Sequence, residues 1–61
     1  MDIAKEISQY WYDASERERL EWLSLYAVEP NLADLELVDV LDELSWQDRR
    51  GLEQDLAEHV M

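Results

Sequence analysis

The 61-residue chain contains no cysteine, no phenylalanine, one glycine (Gly51) and one proline (Pro30). Without cysteine there is no disulfide, no thiolate metal site and no thiol nucleophile. A single glycine excludes the glycine-rich loops that cradle phosphates. One glycine and one proline also leave no room for a flexible linker, so a single domain over residues 1–61 is expected. The longest mostly apolar stretch, Leu23 to Val28, is broken by Ser24. It falls far short of the roughly 20 residues that span a membrane. The opening Met1-Asp2-Ile3-Ala4-Lys5-Glu6 has neither the basic nor the apolar region of a signal peptide. The expectation is a cytoplasmic protein without a membrane partner, and a complete small gene product.

Positive charge is the scarcest property. Five basic residues (Lys5, Arg17, Arg19, Arg49, Arg50) face 16 acidic ones, for a net charge of −11. Positions 20 to 48 hold no basic residue at all, yet contain Glu21, Glu29, Asp34, Glu36, Asp39, Asp42, Glu43 and Asp48. Such a field repels nucleic acid and anionic membranes and attracts basic protein surfaces. Affinity for DNA rests largely on Lys and Arg neutralising phosphates. Two Arg pairs flanked by acids do not form that patch, so direct nucleic-acid binding is not expected.

What the chain does hold is apolar surface. It is 48% hydrophobic, with three Trp and three Tyr, whereas disordered acidic chains lack such residues. A folded core is therefore expected. A chain this short buries only about 60% of its unfolded surface, so helix packing or self-association must supply the rest of its stability.

Apolar periodicity predicts an all-α fold, a small bundle of about four short helices arranged as two αα-hairpins. Ile3, Ile7, Tyr10, Trp11 and Ala14 make one stripe on a first helix from about Asp2 to Asp13. Ser15-Glu16-Arg17-Glu18 fits a capping box that opens a second helix. Leu20, Leu23 and Ala27 form its inner face, with Trp22 and Tyr26 on the flank, and Pro30 is expected to stop it. Asn31 is the expected cap of a third helix, whose inner side carries Leu37, Val38, Val40, Leu41 and Leu44. Ser45-Trp46-Gln47-Asp48 opens a fourth, with Leu52, Leu56 and Val60 as its stripe. The two halves match at an offset of 30, as in Ile7/Leu37, Trp11/Leu41, Ser15/Ser45, Arg19/Arg49 and Trp22/Leu52. Two capped hairpins of similar length share such a pattern without any duplication.

Arg19 and Arg49 each project within an apolar stripe. The expectation for both is a stem laid on the core and a guanidinium paired with a nearby carboxylate. Gly51 costs about 1 kcal/mol in a helix interior relative to Ala, which a close approach by another helix, or equally a frayed or late-starting fourth helix, would explain.

Catalytic and metal chemistry have little to work with. His59 is the only histidine and lies third from the C-terminus, where it reads as a surface residue favoured by a helix C-terminus. Di-metal bundles need a Glu-x-x-His on each of two helices, and here Leu56 stands three positions before His59. No catalytic residue, no metal ligand and no cofactor is expected, and the chain does not read as an enzyme.

The acidic residues of the third helix carry the functional reading. Glu36, Asp39, Asp42 and Glu43 recur at helical spacing, where like charges repel by a few tenths of a kcal/mol per pair. A merely solvated face would relieve this with Lys or Arg. Helical carboxylates rise about 4.5 Å every three residues, close to the roughly 3.4 Å phosphate spacing of one DNA strand. They can imitate a row of phosphates. The leading expectation is thus a non-enzymatic inhibitor or regulator that covers the basic surface of a nucleic-acid-binding protein. Small phage and mobile-element inhibitors of restriction and CRISPR systems offer an analogy of class. Glu36, Asp39, Asp42 and Glu43 would carry the contacts, Glu21, Glu29 and Asp34 would support them, and Tyr12, Leu25 or Trp46 would anchor. Tyr12 and Leu25 lie opposite their helices' inner faces, and Trp46 sits at a helix start where it is half exposed. The alternative is a small self-associating structural or regulatory subunit or adaptor, a homodimer for instance, whose acidic face is only solvated.

Overall fold

The computed structural model describes residues 2–61. Four α-helices follow one another: α1 (Ile3–Asp13), α2 (Glu16–Ser24), α3 (Leu37–Glu43) and α4 (Trp46–Val60), with a 3-10 helix (Pro30–Asp34) between α2 and α3. The described residues contain no strand. Two-residue turns, Ala14-Ser15 and Leu44-Ser45, join α1 to α2 and α3 to α4. The hairpins interlock where α1 packs on α4 and α3, while α2 packs on the 3-10 helix. No helix among the described residues is long and apolar enough to cross a membrane.

The helix starts follow from their caps. Asp2 Oδ1 accepts the Lys5 amide at 3.4 Å, Ser15 Oγ the Glu18 amide at 3.2 Å, and Ser45 Oγ the Asp48 amide at 3.3 Å. Each satisfies one of the amides that a helix start leaves without an internal partner. In the α2 box, the Glu18 carboxylate is taken up by the Tyr10 hydroxyl, which donates to Glu18 Oε2 at 3.0 Å.

Two expected boundaries differ. The second helix ends at Ser24 and not at Pro30. Its end is a Schellman-type turn, with the Val28 amide reaching Leu23 O (3.5 Å) and the Ala27 amide reaching Ser24 O (3.4 Å). Ala27 takes the left-handed conformation that closes this turn, at φ 54°, and is exposed, not part of the inner face. Pro30 instead opens the 3-10 helix, where its preset φ fits and its missing N–H is not needed. Asn31 therefore lies inside that helix, and Glu36 takes the N-cap position of α3 without a side-chain bond.

The core draws on every α-helix. Trp11, Leu23, Val40, Leu52 and Leu56 are its most deeply buried large side chains, with Ile7, Leu37, Leu41, Leu32 and Ala33 around them. The Cα radius of gyration is 10.4 Å, close to the roughly 10.5 Å of a compact domain of this length. Val38, expected inside, is 55% exposed. A helix as short as α3 buries one narrow stripe, and Leu37, Val40 and Leu41 fill it.

Gly51 lies inside α4, which starts at Trp46 as expected, and what approaches it is the Tyr26 side chain from the turn after α2, not another helix. A Cβ there would lie 3.1 Å from Tyr26 Oη and 3.2 Å from Tyr26 Cε1. The Tyr26 hydroxyl donates to Asp55 Oδ2 at 2.7 Å, one helical turn beyond the glycine. The two arginines, expected to behave alike, diverge. Arg49 does pair with carboxylates, Glu53 at 3.0 Å and Asp42 at 3.7 Å. Arg19 donates instead to three backbone carbonyls, Trp11 O (2.9 Å), Tyr12 O (2.9 Å) and Ala33 O (3.0 Å). Two of these belong to the last turn of α1, whose carbonyls have no partner within the helix. The third ties the 3-10 helix to the same guanidinium.

Candidate protein-binding surface

The segment from Asp34 to Glu43 carries only negative charge, with no basic residue among its ten positions. Its five acidic residues, Asp34, Glu36, Asp39, Asp42 and Glu43, are all exposed. Three ion pairs occur among the described residues: Arg17–Glu21 at 3.9 Å, Arg49–Asp42 and Arg49–Glu53. Within this segment the pairs involve Asp42 alone, through a half-exposed Arg49. The late start of α3 shortens the expected stripe. Glu36 caps the helix, and Asp39, Asp42 and Glu43 ride on it. At about 1.5 Å per residue, Asp39 to Glu43 spans about 6 Å, or roughly two phosphate spacings. The carboxylates spread as a surface, and no three of the described Asp, Glu and His side chains converge where one metal ion could be held.

Beside this segment runs a groove of about 390 Å³ between α1 and residues 34–38. Tyr12 (71% exposed), Leu35 (37%) and Val38 (55%) stand along it. Its floor is built from below. Trp11 Nε1 donates to Leu35 O at 3.0 Å, and Arg19 holds the carbonyls of Trp11 and Ala33. The strand-like backbone at Leu35 and Glu36 is thereby pinned against α1. Asp34 and Glu36 line the groove with Tyr12, so an expected anchor and two expected charges do meet.

The other expected residues lie elsewhere. Glu21 and Leu25 share a second, open hollow of about 510 Å³ with Tyr10, Trp22, Glu18 and His59. Trp46 is 71% exposed, more than expected, and lines a third hollow with Arg49, Arg50 and Glu53. Its ring faces the Arg50 guanidinium at 5.4 Å. The three anchors thus serve three different hollows. Glu29 is exposed at the start of the 3-10 helix.

Sequence reasoning missed Leu35 and Val38 as groove residues because both carry the apolar signature of a core position. It also missed the aromatic group formed by Tyr10, Trp22 and His59. Tyr10 and His59 centroids are 4.8 Å apart, Trp22 and His59 5.6 Å, and Tyr10 and Trp22 6.4 Å. These residues lie on three helices, and nothing in their spacing along the chain announces the contact. Burial raises the Tyr10 pKa above its ordinary value, with the Trp22 hydrogen bond lowering it and Glu18 raising it. Burial and then the bond to Asp55 push Tyr26 up to about 12. Comparison with protein-family models, with curated proteins and with solved structures finds no match.

Proposed function

We propose that this protein is a non-enzymatic binding module of the cytoplasm that covers the basic, nucleic-acid-binding surface of a protein partner and so inhibits or regulates it. The observation that carries the reading is the acidic segment from Asp34 to Glu43, whose five carboxylates are all exposed and are met by one arginine only, at Asp42. An ordinary solvated face would relieve like-charge repulsion with alternating lysines. Here the repulsion is retained, and a basic partner relieves it. Complementary charge of this kind mainly speeds association and selects the partner. The groove beside it is mixed, with Lys5 and polar side chains among its walls, and the exposed Tyr12, Leu35 and Val38 along it supply the apolar contact that charge alone lacks. In this DNA-mimic-like mode the carboxylates stand where phosphates would, as in the class of small phage and mobile-element inhibitors.

The test is affinity capture from nuclease-treated extract with a salt-gradient elution, followed by competition with duplex DNA for the captured protein. The expected partner is basic, elutes with salt and releases the module when DNA is added. A variant combining Glu36→Gln, Asp39→Asn and Glu43→Gln should lose the partner while keeping its helical circular dichroism. A partner that holds the neutralised variant equally well, or binds module and DNA together, refutes the proposal. A stable dimer with no other partner favours the self-associating subunit instead.

A further inference from the structure

We infer that the hollow between α1, α2 and the end of α4 is a receptor for an arginine side chain of a partner protein. Three rings line it, Tyr10 from α1, Trp22 from α2 and His59 from α4, together with the carboxylates of Glu18 and Glu21. The rings do not stack flat on one another. Tyr10 and Trp22 meet at 89°, Trp22 and His59 at 79°, and Tyr10 and His59 at 56°. A cation is attracted to an aromatic face within about 6 Å of its centroid. With centroids only 4.8 to 6.4 Å apart, one guanidinium in the hollow reaches more than one ring.

The rings are held before any ligand arrives. Trp22 Nε1 donates to the Tyr10 hydroxyl at 3.1 Å, and that hydroxyl donates to Glu18 Oε2 at 3.0 Å. This relay fixes both rings and the carboxylate, so little ordering cost remains on binding. Glu18 Oε1 is not used by the relay and remains as an acceptor. Glu21, one turn further along α2, provides a second carboxylate, held only by an exposed contact with Arg17 at 3.9 Å. Leu25, 65% exposed, adds an apolar wall for the methylene stem. Neither Lys nor Arg lines the hollow, and His59 is the one basic side chain there. Planar stacking on rings beside carboxylate acceptors suits a guanidinium fork better than a compact ammonium. The inference shares with the proposed function a basic protein partner, but it uses none of the α3 carboxylates.

The test is a ¹⁵N-resolved NMR titration with Nα-acetyl-arginine amide, read at the three tryptophan indole N–H signals. The uncharged isostere Nα-acetyl-citrulline amide, Nα-acetyl-lysine amide and choline are the comparison probes. The Trp22 indole and the backbone of residues 18–25 should shift saturably with arginine and not with citrulline, while the Trp11 and Trp46 indoles stay in place. Glu18→Gln, at an exposed position, should weaken arginine binding about tenfold with the fold intact. Asp39→Asn with Glu43→Gln should leave it unchanged. Equal shifts with citrulline, equal shifts at all three indoles, or full binding by the Glu18→Gln variant overturn the inference. Tighter binding of choline than of arginine overturns the assignment to arginine. Because the probe is a small molecule and the readout lies on α2, these failures are separate from a failure of the α3 surface to capture a partner.

Discussion

Arg19 and Arg49 occupy equivalent places in the two halves of the chain, carry the same charge, and should differ greatly in what they contribute. Arg19 Nε, Nη1 and Nη2 reach three carbonyls at 2.9 to 3.0 Å from a partly buried position. A hydrogen bond to a charged group contributes roughly 1.5–3 kcal/mol when its partner is otherwise left unsatisfied. Simple addition overstates the total, since the bonds share one side chain and the Tyr12 carbonyl can turn to water. A loss of about 2–4 kcal/mol is expected for Arg19→Met. A domain of this length holds roughly 3–9 kcal/mol in all, so this variant should lose a large part of its stability. Arg49→Met removes only exposed contacts to Asp42 and Glu53, and should cost at most about 1 kcal/mol. It also controls for the loss of one positive charge from an acidic protein. Arg19→Lys should fall between the two variants, because an ammonium cannot span three carbonyls as a fork does. The assay is equilibrium urea unfolding, followed by tryptophan fluorescence and far-ultraviolet circular dichroism, at low and high salt. The Arg19→Met deficit should persist at high salt, since its partners are carbonyls. The smaller Arg49→Met deficit should shrink through screening. Equal deficits for the two variants, or an Arg19→Met deficit that vanishes with salt, would falsify the capping role.

Three further predictions concern the contacts around α2 and α4. Tyr26 ionises at about 12 in the folded protein, against about 10 for a free tyrosine. Its contribution is therefore complete below pH 10 and is lost as pH rises from 10 toward 12. Spectrophotometric titration should show a tyrosinate step near 12 that is lost in Tyr26→Phe, leaving the raised step of Tyr10, and a late step of unchanged amplitude in that variant rules the assignment out. Gly51→Ala gains about 1 kcal/mol of helix propensity but places a methyl 3.1 Å from the Tyr26 hydroxyl. It should be neutral or destabilising in the native chain and stabilising when combined with Tyr26→Ala, and a full gain in the native background means the contact is loose. Ala27→Gly relieves a left-handed residue at φ 54° and should stabilise by up to about 1 kcal/mol in thermal unfolding. A clear loss there means that the turn is not strained.

The sequence by itself determined the features that depend on neighbours along the chain. Side chains at helical spacing share a face whatever the rest of the molecule does, so Ile7 and Trp11, or Leu52 and Leu56, were readable as core residues. Ser15 and Ser45 cap amides only three positions away, and they too were legible. So was the charge pattern, which needs no geometry to be seen, and with it the exposed carboxylates from Asp34 to Glu43. Tertiary structure decided what depends on segments far apart in the chain. Arg19 and Arg49 are matched locally, yet Arg19 alone lies where the end of α1 and the 3-10 helix bring backbone carbonyls within its reach. Leu35 and Val38 look like core residues, but Leu35 lies in the extended link before α3 and Val38 lies off the narrow stripe that α3 buries, and they became the walls of a groove. Tyr10, Trp22 and His59 meet only because α1 packs on α4, bringing the last turn of the chain beside its first helix. Periodicity specifies which face of a helix is apolar; only packing between helices specifies which faces meet, and the candidate binding hollows lie where they do.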